Sequence, residues 1–278
     1  MNEILKIVLG ISMLGFVAGS MITLGLGLTV AKIIAPFKNF RMIFVALIAN
    51  FVLVPLFAYG IVDWLDASEG VRIGIILLSL GGGAPFIPVL VETARGNVGG
   101  SVGLMVLLLM VTVFFLPLVA PLLLPGTLVN SWDIAKSLVS IMLVPLVFAL
   151  IVKALFANFA ACMQPYMQKL TSISILMLIV AVLMLYTETV IASVSILPII
   201  VMFFLGAMLI GFFTGGKSRN ARITLAVGTG LRNPPVAILV ASQNFSTEPM
   251  AAIVPLLVAI VGVLILFPLA ILIRKKVA

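Results

Sequence analysis

Two clusters of glycine and proline interrupt segments that are otherwise apolar, GGGAPFIP from Gly81 to Pro88 and GTGLRNPP from Gly228 to Pro235. Each proline lacks a backbone donor and its ring crowds the preceding turn. A helix running through Pro85 and Pro88 therefore strands the carbonyls of Gly81 and Ala84, and Pro234 with Pro235 strands those of Gly230 and Leu231. A bare carbonyl in hydrocarbon is expensive, so non-helical backbone at such depth persists only where protein or a cavity surrounds it. The two clusters thus predict two broken helices facing one protein-lined space.

The depth follows from the rest of the chain. Of 278 residues, 64% are hydrophobic and 9% charged, where soluble domains carry roughly a quarter charged residues. Nine stretches are long and apolar enough to span a bilayer, at about Ile4–Ala35, Met42–Val62, Ile73–Val91, Val98–Leu124, Ile134–Leu155, Leu170–Tyr186, Val190–Thr214, Ile223–Phe245 and Met250–Ile273. The expected fold class is an all-α polytopic membrane protein forming a single domain. The first apolar run is too long for a signal-peptide core and has no small-residue cleavage pattern, so it is expected to be retained. With no histidine, and with Cys162 expected in a polar connection, disulfide frameworks and histidine chemistry are excluded and no cofactor or metal is expected.

If the connections alternate sides, one side collects Lys32, Lys38, Arg41, Arg95, Lys153, Lys169, Lys217, Arg219, Arg222, Arg274, Lys275 and Lys276, twelve of the 16 basic residues. The other side keeps Lys6, Arg72 and Lys136 among most of the acidic residues. Excess positive charge lies inside, which predicts an inner-membrane protein with its N-terminus outside and its C-terminus cytoplasmic. The net charge of +8 then reports orientation and not nucleic-acid binding. Gaining or losing one span would put the KSR and RKK clusters on opposite sides. The final KKVA reads as part of the same inside-facing charge.

The breaks fall in the third and eighth spans, and spans five apart cross in opposite directions. That is the pattern of an inverted repeat, with repeat 1 at about 4–124, a linking helix at about 134–155 and repeat 2 at about 170–273. In carriers of this kind the half-helix N-termini aim their positive ends at an anion near the midplane. Arg232 lies roughly 15 Å from either end of its span and is the one charge placed deep in the membrane. Such a residue is a functional candidate, or it ties free carbonyls and Asn50 together. Asn50 and Asn233 are candidate cavity partners or interhelical glue. Ser101, Thr23 and Thr112 read first as packing hydroxyls, Phe86 as a cavity lid or a lipid-facing ring, and ILMLIVAVLML as packing in lipid.

Five motifs in order, MITLGLGLT (Met21 to Thr29), NFVLVPL (Asn50 to Leu56), GGGAP, RGNVGGSVGL (Arg95 to Leu104) and GLRNPPVAILVA (Gly230 to Ala241), resemble the bile acid:sodium symporter family across nearly the whole chain. The resemblance implies crossed broken helices in a core domain beside a panel domain, with the family's first helix absent. It also implies import of organic anions with sodium. The family's sodium-site glutamate corresponds to Gly228, however, and the glutamine and asparagine that follow it correspond to Arg232 and Asn233. Family serine and asparagine ligands of the first break correspond to Pro85 and Phe86, Asn50 stands at a glutamine position, and Ser101 matches a ligand serine while Met105 replaces a threonine. Two sodium ions beside one glutamate leave one positive charge, and Gly228 with Arg232 leaves the same.

These readings together predict a secondary transporter of a small organic anion that does not need sodium, as exchanger or facilitator. The candidate substrate-binding set is Arg232, Asn233, Asn50, Pro85, Phe86, Gly230, Ser101 and Pro234. Partners are the anion and the bilayer. Proton coupling is disfavoured because Glu92 and Glu188 lie at span ends. An enzyme is not expected, since no histidine or aspartate is placed in the membrane, and a reactive-cysteine carrier does not fit Cys162. A sensor that binds without transporting stays open, as does a sodium-coupled symporter if the broken helices align differently.

Overall fold

The computed structural model describes residues 2–29, 40–124, 130–188 and 193–275. Lys32, Lys38 and Lys276 of the charge argument lie outside the described residues, as do the end of the first expected span and the start of the seventh. The helices are α1 (Asn2–Gly27), α2 (Phe40–Trp64), α3 (Glu69–Leu80), α4 (Ile87–Thr93), α5 (Val98–Leu123), α6 (Ser131–Leu155), α7 (Ala157–Leu185), α8 (Leu197–Thr214), α9 (Arg219–Gly230), α10 (Pro234–Asn244) and α11 (Pro249–Lys275). No strand occurs among the described residues. Eight helical runs, with α9 and α10 taken as one, are long and apolar enough to cross a membrane. The pair α3 and α4 covers the remaining expected span, its halves of 12 and 7 residues being too short to cross singly.

Helices dominate because only internal hydrogen bonding satisfies the backbone in lipid. Local chemistry sets their ends and defects. Asn97 accepts a hydrogen bond from the Gly100 N–H at the start of α5, and Asn130 does the same for Trp132 at the start of α6, each filling an orphan donor of the first turn. The tetrapeptide Leu-Val-Pro-Leu occurs at 53–56 in α2 and at 143–146 in α6, and a π-helical turn, Ala49–Leu53 or Val139–Leu143, runs into it each time. The proline has no N–H to give, so the ladder widens by one residue as it approaches.

One boundary differs from the sequence-based expectation. The sixth span starts at Ala157 and not near Leu170, so Cys162 sits exposed on a helix and not in a connection. The segment ANFAACMQPYMQK is too polar to register as an apolar run, but it is amphipathic: Ala160 is buried with Leu26 and Ala149, and Met163 and Met167 pack beside it.

The helices form two groups. In the first, α1 lies against α7 and α6, close enough that a Cβ on Gly15 or Gly19 would press on Ser174 or Thr171 at 2.6 and 2.7 Å. The Thr23 and Thr171 hydroxyls stand 3.5 Å apart along the same seam. The helix expected as a link, α6, packs against both α1 and α7. In the second group α3, α4, α9 and α10 are wrapped by α2, α5, α8 and α11. The groups face one another where Met13 and Phe16 of α1 and Leu178 and Val182 of α7 meet Ile238 of α10 and Leu256 of α11.

Candidate functional site

The site begins with what happens to the carbonyls at the breaks. After Leu80 the chain is extended at Gly81 and turns through Gly83 at φ 81°. A side chain at Gly83 would strike the backbone of Leu109 and Met105 on α5, so glycine is required both by the dihedral and by the close approach. The Gly82 N–H leaves the helical ladder and donates to Thr112 Oγ1 of α5 at 2.9 Å. On the other break the Asn233 N–H donates to the Gly81 carbonyl at 2.9 Å. The carbonyl expected to be stranded by Pro85 thus finds its donor on the opposite broken span, and the two breaks are joined directly.

The Ala84 carbonyl, also expected to be stranded, is met within its own break by the Ile87 N–H at 3.1 Å, and Arg232 collects a different set of carbonyls. Its side chain is 1% exposed and is the one charged member of the buried set among the described residues. Nε donates to the Leu78 carbonyl at 3.3 Å. Nη1 donates to Asn50 Oδ1 at 2.7 Å and to the Thr229 carbonyl at 3.4 Å. Nη2 donates to the Asn50 carbonyl at 3.3 Å and, more closely, to the Ser79 carbonyl. A guanidinium has five N–H donors, and all five are matched here.

Each backbone acceptor lacks its regular helical donor for a traceable reason, Leu78 O keeping one further bond, from the Gly81 N–H at 3.1 Å. The regular partner of Ser79 O would be the N–H of Gly83, beyond the helix end. That of Leu78 O is the Gly82 N–H, taken by Thr112, and that of Thr229 O is the Asn233 N–H, taken by Gly81. At Asn50 the π turn gives the Val54 N–H to Ala49, and the next residue is Pro55. The C-terminal ends of α3 and α9, both negative ends of helix dipoles, therefore converge on one fixed cation. Asn50 completes the cluster, donating from Nδ2 to the Ala46 carbonyl at 2.9 Å and to Thr229 Oγ1 at 3.2 Å.

The N-terminal ends of α4 and α10 face another way. Pro85, Phe86, Pro234 and Pro235 lie at these ends and line a cavity of about 350 Å³. Leu231 and Arg232 form part of its wall, with Phe16 and Ser20 of α1, Ile175 and Ile179 of α7, and Val258 of α11 completing it. It lies on the seam between the two helix groups. The family model of sodium bile acid symporters matches residues 13–193, about two thirds of the chain. This chain belongs to the sodium bile acid symporter family. The family is one of membrane transporters, not of enzymes. No curated protein matches the chain.

The family match stops before α8, so the second broken helix is tied to the symporter fold by the structure, through the Asn233 to Gly81 hydrogen bond. Of the residues singled out in the sequence, Arg232 and Asn50 are bonded to each other, Asn233 bridges the breaks, and Pro85, Phe86 and Pro234 line the cavity. Gly230 is instead a packing position, where a Cβ would run into Met208 of α8. Ser101 sits in the first turn of α5 and donates to the Val98 carbonyl at 2.7 Å. The helix reaches the break through Thr112, three turns further on. Thr112, weighed as a packing hydroxyl, and Ser79 and Thr229, not singled out at all, build the site. Asn233 Oδ1 is buried with no hydrogen-bond partner. Among the described residues no group of three or more His, Cys, Asp or Glu is placed to hold a metal ion.

Proposed function

We propose that this chain is a secondary transporter of an organic monoanion that works without sodium, as an exchanger or facilitator, in a cell inner membrane with its C-terminus cytoplasmic. The observation that carries this reading is the saturated guanidinium of Arg232. A symporter loads a mobile cation into oxygen ligands at the breaks. Here the oxygens freed by the breaks and the π turn are occupied by a cation covalently tied to the chain. With every donor engaged, Arg232 acts on an anion through its charge, and no carboxylate appears in the buried set among the described residues to cancel it.

The anion belongs in the cavity on the seam. The positive ends of α4 and α10 point there, and movement of the group α1, α6 and α7 against the rest opens it to one side and then the other. A tethered cation cannot leave with the substrate. The empty carrier keeps an uncompensated charge near the midplane, which costs on the order of a few kcal/mol, so it reorients slowly and the loaded carrier quickly. That asymmetry favours exchange over concentration.

The test is uptake of radiolabelled monocarboxylates into proteoliposomes with sodium replaced by potassium or choline. Uptake is expected to be unchanged by the replacement and accelerated by unlabelled anion on the far side. A steep, saturable sodium dependence overturns the reading, and binding without any movement of label makes the protein a sensor.

A further inference from the structure

The cavity beside Arg232 has a rim that belongs to lipid. Phe86, in the first break, is 58% exposed, and Leu264, near the middle of α11, is 69% exposed. Large apolar side chains this exposed at mid-span lie where the surroundings are acyl chains. Among the described lining residues only Ser20 and Arg232 are polar, and the Ser20 hydroxyl is turned back onto the Phe16 carbonyl at 2.6 Å. Pro85, Pro234 and Pro235 contribute no N–H to the cavity. Toward Leu9 and Tyr186, Met13, Leu178, Val182 and Ile238 pack together with Phe16. These four residues line a second cavity, of about 190 Å³, which carries Glu248, Ser242 and Ser246.

We propose that the central cavity is filled sideways from the bilayer, and that its ligand is a lipid-soluble monoanion with a single-chain, hydroxyl-free body, such as a long-chain carboxylate. The proposal rests on the anion reading above and adds the route and the body of the substrate. Charge selects the head: a buried cation near the midplane with no carboxylate beside it favours an anionic partner. The walls select the body. A hydroxyl in mid-chain, lying against these apolar side chains and away from the positive end of α10, finds no side-chain partner and is left unpaired, which is unfavourable. Size selects one chain, because about 350 Å³ is at the low end of ligand cavities and leaves no room for a two-chain phospholipid. The carboxylate rests beside Arg232 and the positive end of α10, and the chain passes between Phe86 and Leu264.

The experiment uses the full chain in nanodiscs of zwitterionic lipid with a photoactivatable diazirine fatty acid, the cross-links being mapped by mass spectrometry. Labelling is expected to concentrate on Ile175, Ile179 and the stretch of α11 from Val258 to Leu266. Octadecanoate should compete about tenfold better than octadecanol or a mid-chain hydroxylated octadecanoate, a difference of about 1.4 kcal/mol. Ile179→Trp, which fills the cavity from a half-buried wall position, should lower this labelling by a similar factor. Labelling spread evenly over the lipid-facing sides of α6 and α7, or octadecanol competing as well as octadecanoate, overturns the proposal. Butanoate competing as well as octadecanoate removes the lipid route but leaves a sodium-independent anion carrier standing, whereas sodium-driven uptake overturns that carrier whatever the cross-links show.

Discussion

At the scale of single residues, Arg232 is positioned by carbonyls and not by a counter-charge. Burying a cation without a carboxylate partner is tolerable because four backbone carbonyls and one amide oxygen replace its water, three of those carbonyls at the C-terminal ends of α3 and α9, where the dipole already favours positive charge. Replacement should therefore damage both the fold and the field. Arg232→Gln leaves at least two of the five acceptors unmatched, since Leu78 O keeps the Gly81 N–H, at about 1–3 kcal/mol each before relaxation, and removes the charge. We expect a clear fall in melting temperature and at least about tenfold weaker anion binding. Arg232→Lys keeps the charge but has three donors without the planar spread of a guanidinium, so it should be intermediate in stability and retain most of the anion affinity. Thermal melts with and without anion check both variants. If Arg232→Gln melts and binds as the parent does, the charge plays no part.

At the scale of elements, the break in the first broken span is a built shape and not a loosened helix. Extended Gly81, left-handed Gly83 and the Gly82 to Thr112 hydrogen bond hold it against α5. Gly83→Ala places a Cβ into the backbone of Leu109 and Met105 and forces a φ that costs about 1–3 kcal/mol for a residue with a side chain. It should lower the melting temperature sharply and abolish uptake. Gly99→Ala in the first turn of α5, where a Cβ meets nothing nearer than Asn97 Oδ1 at 3.8 Å, should leave both unchanged. Equal melting curves for the two variants would mean that the break does not have the described geometry. The π turn of α2 works at the same scale. It frees the carbonyl of Asn50, turning an ordinary span into the third wall of the arginine site.

At the scale of the whole molecule, two helix groups meet along a seam that holds the cavities, and the charged ends of the helices set how that seam stands in the membrane. In the proposed orientation, with the N-terminus outside, the connection after α2 that carries Asp66 lies outside, with Glu69 at the start of α3, and the connections bearing Arg95 and Lys217 lie inside. A periplasm-active phosphatase fused after Asp66 should be active, and one fused after Lys276 silent. Strong activity at Lys276 would reverse the orientation. The same placement starts α3 outside and α9 inside, so their C-terminal ends approach Arg232 from opposite faces of the bilayer.

The membrane class, the positions of both breaks and the depth of Arg232 were legible in the chain because they depend on local chemistry. Apolar length decides what crosses, proline and glycine decide where the ladder fails, and charge shows which residue is costly to bury. The stranded carbonyl of Gly81 was legible for the same reason. Its partner was not, since a donor from a residue about 150 positions away depends on how the breaks meet. Ser79 and Thr229 stood outside the predicted set because a backbone carbonyl becomes a ligand only when a neighbouring span takes its regular donor, and no side-chain pattern records that. Gly230 and Ser101 matched a motif but are turned by helix packing toward Met208 and toward their own first turn. Sequence alone determined that this protein must hide two broken helices and one arginine in lipid. Only the tertiary structure decided that the arginine is the partner of the broken ends, because hydrogen bonding across spans is a property of their meeting and not of either span alone.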